Sequence, residues 1–303
     1  MAITAKDVQA LREMTGVGMM DCKKALAASD GDMDKAVEWL REKGLAASAK
    51  KAGRIAAEGM AYAADINGVG VVVEVNAETD FVGKNEKFVD FVKGVAATVA
   101  ACAPADLDAL MECKYNGTDL TVTQQQQEMV LVIGENIKVR RFARFADGTS
   151  VPYIHAGGKI GVLVNLEVTG GIDATEIGKD MAMQIAALNP RFLDKSQVTQ
   201  EVLDEEKKIL LAQMANDPKM ASKPDQVKEK IVDGKLNKFY AENCLLQQAF
   251  VKDGDVTVEQ YMNAAAKQLG GAVTLKDAVR FEKGEGIEKK QENFAEEIAK
   301  LAK

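Results

Sequence analysis

"YAADINGVGVVVEVNAE" (62–78) and "YIHAGGKIGVLVNLEVT" (153–169) lie over one another at a constant offset, Tyr62 on Tyr153 and Gly70 on Gly161. Each reads as a β-hairpin, with β-branched residues on both sides of a glycine-bearing turn, Asn67-Gly68 in the first. An alanine-rich helical run follows each, "FVDFVKGVAATVAACAP" (88–104) and "IGKDMAMQIAALNP" (177–190), and both end at a proline. A strand hairpin and a packed helix, used twice, predict two related α+β subdomains. "EMVLVIGENIKVRRFARF" (128–145) is expected to add strands to the first, and "AVRFEKG" (278–284) to close the second.

Outward from this core the chain changes character. Residues 1–44 predict three short helices. Thr4 caps the first, which carries Val8 and Leu11, and "TGVG" (15–18) breaks it. The second runs from Met19 to Ala28 with Cys22, Ala25 and Leu26 on one face, and the third from Asp32 to Lys43 with Ala36, Val37 and Leu40 inward. Met19 and Met20 are adjacent and cannot both face one core, so they are either partly packed or an exposed contact surface. "LAASAKKAGRIAAEG" (45–59) is a linker, helical or not, whose Lys50, Lys51 and Arg54 are solvated charge or a contact patch.

A different segment interrupts the second subdomain. Residues 198–214 put Val202, Leu203, Ile209, Leu210 and Met214 on one stripe, and 226–250 run back with Val227, Ile231, Leu236 and Phe239. This is an antiparallel helical hairpin that projects or pairs with another chain, dimerisation being one outcome. A last amphipathic helix is expected at 286–302. The expected organisation is therefore an N-terminal unit with its linker (1–53), a first core subdomain (54–147), a second in two pieces (148–191 and 246–286), the inserted hairpin (192–245) and a C-terminal module (287–303).

The chain has 303 residues, 47% of them apolar but only 5% aromatic, so its cores are built from small side chains. A net charge of −7 argues against direct nucleic-acid binding. No apolar run reaches the ~18 residues that span a membrane, and no secretory segment opens the sequence. Four cysteines, Cys22, Cys102, Cys113 and Cys244, form no CxxC pair and suit a reducing cytoplasm with buried thiols. With a single histidine, His155, and no ligand cluster, the sequence offers neither a catalytic residue nor a metal or cofactor site. "HAGGKIGV" (155–162) is only a partial phosphate loop, since Lys159 is followed by Ile160. The sequence points to a protein that works by contact.

One turn stands out. "VEVNAETDFVGKNEKF" (73–88) starts as a strand and ends as a helix, with Thr79 and Asp80 as its expected caps and Phe88 and Phe91 opening an apolar stripe. Between them sits Phe81, which either folds back onto Val75 or Phe88 or stands out in solvent.

"TGVGMMDCKKAL" (15–26), "NAETDFV" (76–82), "IGENIKVRR" (133–141), "HAGGKIGVLV" (155–164) and "RFEKGEGIEK" (280–289) together resemble bacterial elongation factor Ts, in order and over nearly the whole length. The resemblance implies a guanine-nucleotide exchange factor for elongation factor Tu. It implies that the Thr79, Asp80, Phe81, Val82 tip enters the partner beside its nucleotide and disturbs its magnesium site. It also implies partner contacts at Met19, Met20, Lys23 and Lys51, and at Ile133, Gly134, His155 and Val251. His155 as a buried structural residue stays open, Lys252 is held loosely, and Gly83 is expected to loosen the tip. Two other readings remain: an interaction adaptor whose first bundle resembles the ubiquitin-associated type, and a small-molecule enzyme using the glycines at 157–161. The runs at 123–128, 169–176 and 252–274 carry no motif.

Overall fold

The computed structural model describes residues 3–288 apart from residue 222, so the expected C-terminal helix lies almost wholly outside the described residues. The chain is a mixture of helix and antiparallel sheet. Helix α1 (Ala5–Thr15) begins at a reciprocal Thr4–Asp7 cap and ends at Gly16 in the left-handed region. Helix α2 (Met19–Ala28) and helix α3 (Met33–Lys51) complete a bundle around Leu11, Cys22, Ala25, Leu26, Ala36 and Leu40. Helix α3 starts from an Asp32 cap and runs through half of the expected linker.

Strands β1 (Glu58–Ile66) and β2 (Val69–Ala77) form the first hairpin, closed by Asn67 and Gly68, both at positive φ. Helices α4 (Glu86–Cys102), α5 (Leu107–Glu112) and α6 (Val122–Ile133) follow, then strand β3 (Lys138–Phe145) pairs with β2. The segment expected to supply strands from 128 is thus helical as far as Ile133. A Thr121–Gln124 cap opens helix α6 and left-handed Gly134 closes it. Its apolar run faces two cores: Met129 and Val130 enter the first core, whereas Leu131 and Val132 pack against the bundle.

Strands β4 (Thr149–His155) and β5 (Ile160–Thr169) repeat the hairpin, and helix α7 (Thr175–Leu188) repeats the covering helix. The two hairpins share a frame but not a turn length. Tyr62 pairs with Val73, whereas Tyr153 pairs with Val162 rather than Val164. A slip of two residues keeps every side chain on its own face.

Helices α8 (Gln200–Asn216), α9 (Pro218–Ala221) and α10 (Asp225–Asn243) form the inserted hairpin. Its seam buries Leu210, Met214, Val232, Leu236 and Phe239, while Ile209 and Val227, expected on the stripe, are exposed. Helix α10 stops at Asn243, short of the expected 250, because the chain turns there and Leu245 N–H donates to the Phe192 carbonyl (2.9 Å). Strands β6 (Ala249–Phe250) and β7 (Asp253–Thr257), helix α11 (Val258–Gln268) and strand β8 (Ala272–Glu282) complete the described chain. Helix α11, which carries no motif, opens on a Thr257–Gln260 cap and sends Val258, Met262 and Ala266 into the second core.

The two three-stranded sheets, β1-β2-β3 and β4-β5-β8, stack through Ala61, Ala63, Val72, Leu163 and Phe281. The order is helices, sheet, sheet, helices, so β2 and β5 are covered on both faces and read as nearly unbroken apolar runs. The repeated glycine now has a cause. A Cβ on Gly70 would lie 2.3 Å from Ser150 Oγ, and one on Gly161 would lie 3.2 Å from the Ala61 carbonyl carbon. Both glycines sit where one sheet packs directly against the other.

Candidate functional site

Strand β2 ends in the core at Ala77, and Val82 re-enters it; the residues between them form the turn. Phe81 is 82% exposed and folds onto neither Val75 nor Phe88, both of which are buried. Val82, expected among the contact residues, is only 6% exposed and anchors the turn from below. Thr79 and Asp80 do not cap the following helix. Asn85 does so, its side chain accepting from Lys87 N–H (3.0 Å). Thr79 instead donates its N–H and its hydroxyl to the Glu135 carboxylate (2.9 and 2.7 Å).

Gly83 does the reverse of loosening the turn. A Cβ there would meet the Gly59 carbonyl oxygen at 2.8 Å, so the missing side chain lets the short turn Val82–Lys84 sit directly on strand β1. Asp80 makes no hydrogen bond or ion pair among the described residues, so the turn presents a phenylalanine beside an uncompensated carboxylate.

The α6–β3 loop lies against this turn. Asn136 donates its N–H to Glu78 Oε1 (2.6 Å) and its side-chain amide to the Arg54 carbonyl (2.8 Å). Lys51, expected as a linker residue free to meet a partner, is the last residue of helix α3, and its ammonium donates to the Gly134 carbonyl (2.7 Å). Ile133 is half-buried against the first core and Gly134 is exposed at φ 85°. The structure therefore gathers Lys51, Gly134 and Thr79 at one junction. Sequence reasoning missed Glu135 and Asn136, since partners 56 and 82 residues away leave no local pattern.

On the bundle, Met19 and Met20 are both exposed, at 55% and 66%, as is Lys23 beside them. The loop before them is tied to the helix that follows the turn, because Lys87 donates to the Gly16 carbonyl (3.1 Å). Met19, Gly16 and Lys87 line one cavity of about 500 Å³. His155 is exposed rather than buried, its Nδ1 3.1 Å from the Tyr153 hydroxyl. Val251 is 48% exposed, and its N–H is held by buried Gln184 (2.8 Å), while the neighbouring Lys252 pairs with Asp180 (2.6 Å). His155 and Val251 belong to the second half of the chain and do not join the junction.

The glycines at 157–158 cradle nothing of phosphate type. They take positive φ in a connection between two strands, no helix N-terminus follows, and the Cβ position of Gly158 is filled by the Met60 side chain. The cysteines are only partly as expected: Cys22 and Cys244 are buried, whereas Cys102 is exposed.

The profile of the family described as "Elongation factor TS" matches residues 78–285, opening at this turn. The chain belongs to the elongation factor Ts family. It is 48% identical over 307 residues to "Elongation factor Ts" of Syntrophotalea carbinolica, covering 100% of both chains. It is 51% identical over 312 residues to that of Trichlorobacter lovleyi, across 100% of this chain and 99% of the relative. It is 50% identical over 305 residues to that of Clostridium perfringens, across 99% of each. Elongation factor Ts relatives thus extend over the bundle and the inserted hairpin as well as the turn. Among the described residues, no helix is long and apolar enough to cross a membrane.

Proposed function

We propose that this chain is a guanine-nucleotide exchange factor for elongation factor Tu in translation elongation, acting by insertion of the Thr79–Phe81 turn beside the partner's nucleotide and magnesium site. The observation that carries this is a large aromatic, 82% exposed, on a turn whose two ends are both buried. Such a side chain gains nothing in water and is held ready for a partner. Magnesium and loop amides hold a bound nucleoside diphosphate by short electrostatic contacts, so a small displacement of either releases it. The wedge needs only to bind the nucleotide-free partner better than the loaded one. No covalent step and no cofactor enter this scheme.

Met19, Met20 and Lys23 on the bundle, and His155 and Val251 on the second half, are the accompanying contacts, and their exposure supports that role. Lys51, Ile133 and Gly134 contribute by way of the junction. The bundle is of ubiquitin-associated type. The hairpin is a coiled pair whose exposed Ile209 and Val227 support dimerisation, and cytoplasmic location follows from the role. Release of a fluorescent GDP from elongation factor Tu tests the proposal: substoichiometric chain accelerates release. Binding without acceleration would leave only the adaptor reading.

A further inference from the structure

Glu135 is half-buried on a short loop pinned at both ends, by Ile133 against the first core and by buried Asn136 and Ile137. Its carboxylate takes both donors that Thr79 can offer, through one oxygen each. A carboxylate accepting two hydrogen bonds in this way fixes the direction of the group that donates them, because both bonds are charge-assisted and converge from one residue. Glu78, one residue earlier, is fixed by Asn136 and by Arg54 (3.4 Å). The backbone leaving Thr79 toward Phe81 is therefore held at this end from outside the turn, as Val82 and Gly83 hold its other end, and not by packing of Phe81 itself.

The same loop accepts the Lys51 ammonium at the Gly134 carbonyl and donates the Asn136 side-chain amide to the Arg54 carbonyl, just beyond the end of helix α3. Bundle, loop and turn share one set of bonds.

We infer that Glu135 is the positioning residue of the exchange turn, holding Thr79 so that Phe81 is presented in one orientation. This rests on the exchange reading above. Glu135 needs no contact with the partner; it acts through Phe81.

The test uses the full chain in three parts. In the free protein carrying 4-fluorophenylalanine at position 81, fluorine relaxation reports the motion of the turn; Glu135→Ala increases that motion, and Glu135→Gln, which keeps one acceptor, increases it less. In exchange assays at saturating chain, run well below the melting transition of each variant, Glu135→Ala lowers the GDP release rate about tenfold, the scale of losing hydrogen bonds to a charged group. Finally, Phe81→Ala combined with Glu135→Ala is no slower than Phe81→Ala alone, since both changes remove one function. Unchanged fluorine relaxation, multiplying losses in the double variant, or a rate loss that tracks a lowered melting temperature would each overturn the assignment. A wild-type chain that fails to accelerate release would overturn the exchange reading alone, because the fluorine measurement on the free chain decides the positioning by itself.

Discussion

Replacing Phe81 with alanine separates folding from function, because the ring is exposed in the free chain. The ring is 82% exposed, so the folded protein loses almost no packing when it goes; the stability change should stay within about 0.5 kcal/mol, as for other exposed positions. Full covering of a phenylalanine side chain by a partner is worth about 1.5–3 kcal/mol. If most of that contact forms as the nucleotide site opens, Phe81→Ala raises the barrier to release by about 1–3 kcal/mol, or roughly 5- to 150-fold in rate. Stopped-flow release of fluorescent GDP, measured against chain concentration, gives the saturating rate and the half-saturating concentration separately. The loss belongs in the saturating rate. Val82→Ala differs in its effect on folding: this side chain is buried in the first core, and its truncation costs about 2 kcal/mol of stability. An unchanged saturating rate for Phe81→Ala, or a loss confined to half-saturation, would refute the wedge.

Gly83→Ala forces a methyl toward the Gly59 carbonyl, so it lifts the turn off strand β1 and slows exchange, with only a small fall in melting temperature by calorimetry. Burial pushes the Glu74 carboxyl up, but the Gly284 N–H, Asn76, Arg140 and Arg141 outweigh it and hold it below its ordinary value. A carboxyl lowered in the fold stabilises above its unfolded value, and that contribution is lost as pH falls through the folded one. The melting temperature should therefore drop on acidification below about pH 4.5, and Glu74→Gln should flatten this part of the profile while lowering stability at neutral pH. Deleting residues 1–53 leaves the sheets folded but uncovers Leu131 and Val132; titration calorimetry against elongation factor Tu should show weaker binding, and equal affinity would make Met19, Met20 and Lys23 bystanders.

The two hairpins and their covering helices were legible because both faces of each central strand are buried, and a long apolar run bounded by glycine is a strong signal. The same physics hid helix α6. Its residues 129–132 meet two different cores on opposite sides, so the helical period is lost and the run of valines looks like a strand. Its glutamine-rich start had no reading in sequence, yet Gln124 caps the helix and Gln126 accepts from Val139 N–H (3.0 Å). Phe81 could be singled out from local chemistry alone. The mounting of Phe81 could not, because Glu135 and Asn136 meet the turn across separations of 56 and 58 residues and leave no local pattern.

Strand β5 has a consequence for how the protein is made. It lies between β4 and β8, pairing with the latter from Ile160 to Thr169. On the ribosome its first neighbour is complete almost at once, but the second begins at Ala272. Roughly a hundred residues must be translated in the meantime, which takes on the order of 5–20 s. For that interval one edge of an apolar strand stands open, the condition under which chains join to one another. The inserted hairpin lengthens the wait. Messages truncated before codon 272 should accordingly yield aggregates rather than a shorter working factor, and a chaperone that shields strand edges would find its client in the nascent chain, not in the finished one.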